Sequence, residues 1–90
     1  MRIRWSLHAE RRLRERPELT AADVEAALRE PDQQYQDPAR PGRWIAHKRV
    51  DVEGVPFLLR VFYAEAGGGE VVVLSCYQTS QVARYWRVDR

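Results

Sequence analysis

The run "VVVLSCYQ", residues 71–78, is apolar at both odd and even positions. A strand with one wet face alternates apolar and polar residues, so this run demands cover on both of its faces. A chain of 90 residues has material for one core, so a single domain over residues 1–90 is expected. The remaining sequence has to wrap this strand.

Two strand patterns precede it. "RWIAHKRV" (43–50) alternates loosely, "VPFLLRVFY" (55–63) is rich in branched and aromatic residues, and "DVEG" turns the chain between them. "AEAGGGE" reads as a flexible turn into the central run. "QQYQ" (33–36) is a short edge strand inside a proline-rich loop, and "MRIRW" is a leading strand or extended segment. The tail "VARYWRV" is either a last edge strand or irregular.

Two helices stand between "MRIRW" and "QQYQ". Ser6 caps the first, over residues 6–16, and Pro17 closes it. Thr20 caps the second, over 20–29, with Asp23 three residues on in a capping-box spacing, and Pro31 stops it. The predicted fold is α+β: two N-terminal helices packed on one face of an antiparallel sheet of three to five strands. Leu13, Val24, Leu28, Leu59, Val61, Val72, Leu74 and Cys76 are expected in or beside the core. Trp5, Trp44 and Trp86 are expected as core anchors.

Net charge is only +2, but residues 1–16 carry six arginines against two glutamates. Residues 17–37 carry six acids against Arg29, and 38–50 are basic again. This polarised surface favours a polyanionic partner. Every basic side chain but Lys48 is arginine, which contacts phosphate in a planar, bidentate way. The lone cysteine, Cys76, excludes an intramolecular disulfide and points to a reducing compartment. With no apolar run near the ~20 residues of a membrane span and no signal-peptide pattern, no membrane partner and a cytoplasmic address are expected.

Two histidines and one cysteine without ligand spacing predict no metal site and no cofactor. The first helix offers the chemistry instead. In "SLHAERRLRER" (6–16), His8 and Arg12 are one turn apart and can face one ligand together. An imidazole moves protons near neutral pH, and arginine stabilises a crowded phosphorane. The alternative is a His8 that only packs at the helix start.

"SLHAERRLRER", "TAADVEAALREPD" and "VVVLSCYQTSQVARYW" together resemble a family of small bacterial domains of unknown function. Its pattern runs His-Ala-x-x-Arg, a nearby Glu-Arg, a helix ending Val-x-x-x-Leu-x-x-Pro-Asp, then Tyr-x-Thr-Ser and Tyr-Trp. That family is similar to RelE/ParE-type toxins, grouped with the barnase–EndoU–colicin–RelE metal-independent ribonucleases. The resemblance implies a RelE/ParE-like fold, a metal-independent endoribonuclease of a toxin–antitoxin system, and RNA and a small cognate antitoxin as partners. A non-catalytic protein- or RNA-binding module of the same fold is the alternative.

Carried onto this sequence, the resemblance makes His8 the general base or acid and Arg12 or Arg16 the phosphate clamp. Thr79 or Tyr85 supplies a late hydroxyl. Arg11, Arg12, Arg16, Arg60 and Arg84 are the implied nucleic-acid contacts. One departure is Gln78, where these late segments often carry a basic residue; Arg60, which interrupts an apolar strand, is positioned in sequence to compensate.

Overall fold

A computed structural model describes residues 1–88. The element order is β1 (Arg2–Trp5), α1 (Leu7–Glu15), α2 (Ala21–Arg29), β2 (Gln33–Gln36), β3 (Trp44–Val52), β4 (Val55–Gly67), β5 (Glu70–Thr79) and α3 (Val82–Tyr85). The chain is α+β, as its patterning predicts.

Both N-terminal helices start where their caps require. The Ser6 hydroxyl accepts the Ala9 N–H at 3.0 Å. Thr20 and Asp23 satisfy each other's backbone N–H groups at 3.1 and 3.2 Å, a complete capping box. The expected apolar positions then turn inward: Val24, Ala27 and Leu28 of α2 and Ala9 of α1 are buried. The tail differs from expectation. Val82–Tyr85 is a single helical turn, not a strand.

The five strands form one sheet in the order β1-β5-β4-β3-β2. The β3–β4 hairpin turns at Glu53 and Gly54, both at positive φ (51° and 83°), as a tight two-residue turn between paired Val52 and Val55 demands. Asp51 holds the turn by accepting the Gly54 N–H at 2.7 Å.

The expectation of an antiparallel sheet is corrected at one edge, because β1 runs parallel to β5. A hairpin forces its strands antiparallel, but β1 and β5 are not joined by one, so the chain is free to set β1 either way. The two helices then carry the chain from β1 at one edge to β2 at the other. On the way α1 packs on β5, and α2 packs on β4 and β3.

The central run has β1 on one edge and β4 on the other, but its inward positions differ from strict alternation. Counting back by twos from buried Cys76 would place Leu74 and Val72 inside. Instead Phe62 pairs with Ser75 and Tyr63 with Val73, leaving Leu74 as a bulge. The extra residue flips the parity. Val71 and Val73 enter the core, while Val72 and Leu74 are only half-buried. Ser6 fastens this point, donating its N–H to the Val73 carbonyl and its hydroxyl to that of Leu74.

The main core lies between helices and sheet: Ala9, Leu19, Val24, Ala27 and Leu28 meet Ala46, Leu59, Val61, Tyr63, Val71, Val73 and Cys76. Trp5 and Trp44 pack against it as expected, but Trp86 does not belong to it. Among the described residues, no helix is long and apolar enough to cross a membrane.

Leu59 is fully buried in this core. Leu59→Ala is expected to lower unfolding free energy by about 2–5 kcal/mol through lost transfer energy and the cavity left behind. Val88→Ala, at an exposed position, should stay within about 0.5 kcal/mol of wild type. Urea unfolding of both variants checks the pair.

Candidate phosphate-binding face

Successive strand residues point to opposite faces, so the neighbours of the core residues face away from α1 and α2. The register builds a row there: Gln33 pairs with His47, His47 with Arg60, and Arg60 with Tyr77. Four strands thus place four polar or ionisable side chains in line.

Arg60 is the centre of the row and is only 9% exposed. Its Nε donates to His47 Nε2 at 3.0 Å. One terminal nitrogen donates to the Tyr77 hydroxyl at 2.6 Å, and the other to the Tyr35 hydroxyl at 3.3 Å. The guanidinium lies 4.2 Å from the centre of the Tyr85 ring. All three acceptors are neutral. Asp37 is the one buried carboxylate among the described residues, and Arg43 binds it at 2.5 Å. Arg60 is beyond ion-pair distance of any acid among the described residues.

This geometry fixes the state of His47. Arg60 can only donate, so Nε2 accepts, and Nδ1 carries the proton and donates to Gln33 Oε1 at 3.0 Å. The ring is fully buried. Burial first, then the charges of Arg60 and Arg87, lower its pKa to about 4. His47 is therefore a neutral acceptor near pH 7. Burial also pushes the Tyr77 phenol above its ordinary value, although the hydrogen bond and charge of Arg60 oppose the shift. Burial works against ionisation of Asp37 as well, but the Ala39 N–H, Arg43 and the charge of Arg60 outweigh it and hold the carboxyl low.

The C-terminal segment crosses this face. Trp86 stacks on His47 with ring centres 6.4 Å apart, and the Arg49 guanidinium lies 3.9 Å from the Trp86 ring centre. Arg87 covers Tyr35 at 4.3 Å. Gln33 grips the Arg87 backbone at both polar groups, accepting its N–H at 3.1 Å and donating to its carbonyl. A cleft of about 590 Å³ separates the β2 edge from residues 86–88. Arg84 extends the basic rim, 5.3 Å from the Tyr85 ring and bonded to Gln81. Arg49, Arg60, Arg84 and Arg87 form no ion pair among the described residues and lie over aromatic rings, while Asp32 accepts the Arg49 backbone N–H at 2.7 Å and lines the same cleft as Arg87.

The residues singled out in the sequence divide between two places. Arg60, Arg84 and Tyr85 gather here. Thr79 ends β5, half-buried, with its hydroxyl accepting the Gln81 N–H at 3.1 Å. His8, Arg11 and Arg16 are exposed on α1, which packs on the Cys76 side of β5. Tyr77 and Tyr85 lie on the other side. Among the described residues, no hydrogen bond, ion pair or ring contact joins His8, Arg12 or Arg16 to Thr79 or Tyr85. Arg12 instead reaches toward Cys76, where its charge opposes the upward shift that burial gives the thiol. Its Nε is buried without a hydrogen-bond partner.

Sequence reasoning missed Gln33, Tyr35, His47, Arg49 and Arg87, and held Trp86 as a base-stacking ring only second to a core anchor. A signal existed in His47 and Arg60, two polar residues at inward-reading positions of apolar strands. Their alignment depends on pairing between distant segments. No three metal-ligating side chains gather among the described residues. No protein-family model, curated protein or solved structure matches the chain.

The folded pKa of His47 lies below its ordinary 6.5, so between those values the unfolded chain binds the extra proton. Stability is fully present above pH ~6.5 and should fall as pH drops toward 4, with a limiting slope of about 1.4 kcal/mol per pH unit from this group. Urea unfolding across this range should show a shallower pH slope in His47→Gln than in wild type. Equal slopes would remove His47 as the cause.

Proposed function

We propose that this chain is a RelE/ParE-like toxin-fold protein that grips the phosphate backbone of RNA on the arginine–tyrosine face of its sheet. One observation carries the reading: Arg60 is nearly buried among uncharged hydrogen-bond partners, no carboxylate among the described residues lies within ion-pair distance of it, and Asp37, whose charge it does feel, is already bound by Arg43. Burying an unpaired charge costs several kcal/mol, and a structural role alone would be met by an apolar residue in this strand. An anionic ligand supplies the missing countercharge. Arg49, Arg84 and Arg87 around it, without an ion pair among the described residues, extend the attraction along a polyanion, and the aromatic rings suit bases as well as guanidinium groups.

Metal-independent cleavage of the bound backbone is the second reading, and the closeness of Tyr85 to Arg60 favours it. In that reaction the 2′-hydroxyl attacks the adjacent phosphorus, the 5′-oxygen leaves with a proton, and a 2′,3′-cyclic phosphate remains. Arg60 stabilises the phosphorane, and the Tyr85 hydroxyl carries the proton. His47 is unsuited to that transfer because both its nitrogens are engaged and its ring is buried. A small acidic antitoxin is the protein partner this reading implies.

RNA affinity should fall steeply with salt, and Arg84→Glu or Arg87→Glu should each reduce the log–log salt slope by about 1. Arg29→Glu, on α2, should do little. If Arg12→Glu and Arg16→Glu remove the binding instead, the phosphate site belongs to α1 and the sheet-face reading fails. For cleavage, Tyr85→Phe should slow product formation by about 100- to 10,000-fold, with EDTA without effect. A loss confined to His8→Ala would return proton transfer to the helix.

A further inference from the structure

The phosphate reading contains a geometric problem: the guanidinium expected to meet the anion is nearly buried, with the Tyr85 ring above it. We propose that residues 82–87 form a strap over Arg60, latched by Gln33, and that RNA binding requires the strap to lift. This inference rests on the phosphate-binding reading and describes how that site is regulated.

The strap is attached at few points. Helix α3 is a single turn with no side-chain cap and no buried residue, so little apolar burial resists its release. Its contacts to the sheet include Tyr85 on Arg60 and Tyr77, Trp86 between His47 and Arg49, the Arg87 guanidinium on Tyr35, and the Arg87 backbone on Gln33. The last is unusual in form. A side-chain amide on the edge strand bonds both backbone polar groups of one residue, as a neighbouring strand would. The same Gln33 oxygen receives the His47 proton, so the latch is joined to the group that holds Arg60.

Lifting the strap breaks no main-core contact, since none of its residues belongs to the helix-side cluster. It slides the Tyr85 ring off the face of the guanidinium and opens that side of Arg60 to a phosphodiester, with Tyr85 kept beside the bound strand. Arg84 and Arg87 travel with the strap and can close on the bound strand from the outer side. A closed strap lowers apparent affinity by the fraction of molecules that are open, so loosening the latch tightens binding.

The test measures binding of labelled oligouridylate and, without RNA, hydrogen exchange at the Trp86 and Arg87 amides. Gln33→Ala should speed exchange at both amides and raise affinity roughly tenfold, the effect of removing a contact of ordinary hydrogen-bond strength. Tyr85→Ala, which leaves Gln33 and His47 in place, should raise affinity in the same direction. It keeps the question answerable should Gln33→Ala fold poorly. If wild type binds oligouridylate and both variants bind equally or more weakly, the strap is part of the binding surface and the latch proposal is overturned. If wild type and both variants all leave oligouridylate unbound, the phosphate reading itself falls.

Discussion

The hydrogen bond from Arg60 Nε to His47 Nε2 joins β4 to β3 on the face away from the helices. Each residue alone would be costly there. A buried guanidinium without acceptors pays heavily for lost hydration, and a buried imidazolium beside it would add repulsion. Together they are tolerable because His47 stays neutral and can accept. Gln33 fixes the imidazole tautomer from one side, and Tyr35 and Tyr77 take the remaining guanidinium contacts from the flanking strands. The hydrogen bonds of the row are satisfied, but among the described residues its guanidinium has no carboxylate at ion-pair distance, and Asp37 is shared with Arg43. That residual positive charge is the strongest functional statement the molecule makes.

The two faces of the sheet divide the labour. On the helix side, small and branched residues pack to exclusion of water, and stability comes from burial. On the other side, aromatic rings carry arginines, of which only Arg43 is ion-paired, to Asp37, among the described residues. Stacking lets several like charges sit close together, since each guanidinium is attracted to a ring face as well as repelled by its neighbours.

The helix α1 shows how an attractive sequence motif can be resolved in two ways. Its basic edge does exist, and Ser6 starts the helix where the cap predicts. Yet Ala9 turns the helix toward Cys76, and Tyr85 reaches the sheet from the opposite side. The helix-borne arginines and the late hydroxyl thus belong to different surfaces, although each was legible as a candidate. Arg60, marked by its interruption of an apolar strand, was the candidate whose local oddity pointed to the assembled site.

What the sequence determined by itself was local. Ser6, Thr20 and Asp23 set the helix starts because their hydrogen bonds close within three residues, and Pro17 and Pro31 follow the helix ends because their rings cannot continue the helix. The doubly apolar run at 71–78 required a central strand, and Glu53–Gly54 supplied a turn between two others. The tertiary structure alone decided the direction of β1, the bulge at Leu74 that exchanged Val72 and Leu74 for Val71 and Val73, and the Gln33–His47–Arg60–Tyr77 row. These depend on register between segments far apart in the chain. A slip of one residue would send every side chain of a strand to the other face, and no local pattern reports where the slip occurs.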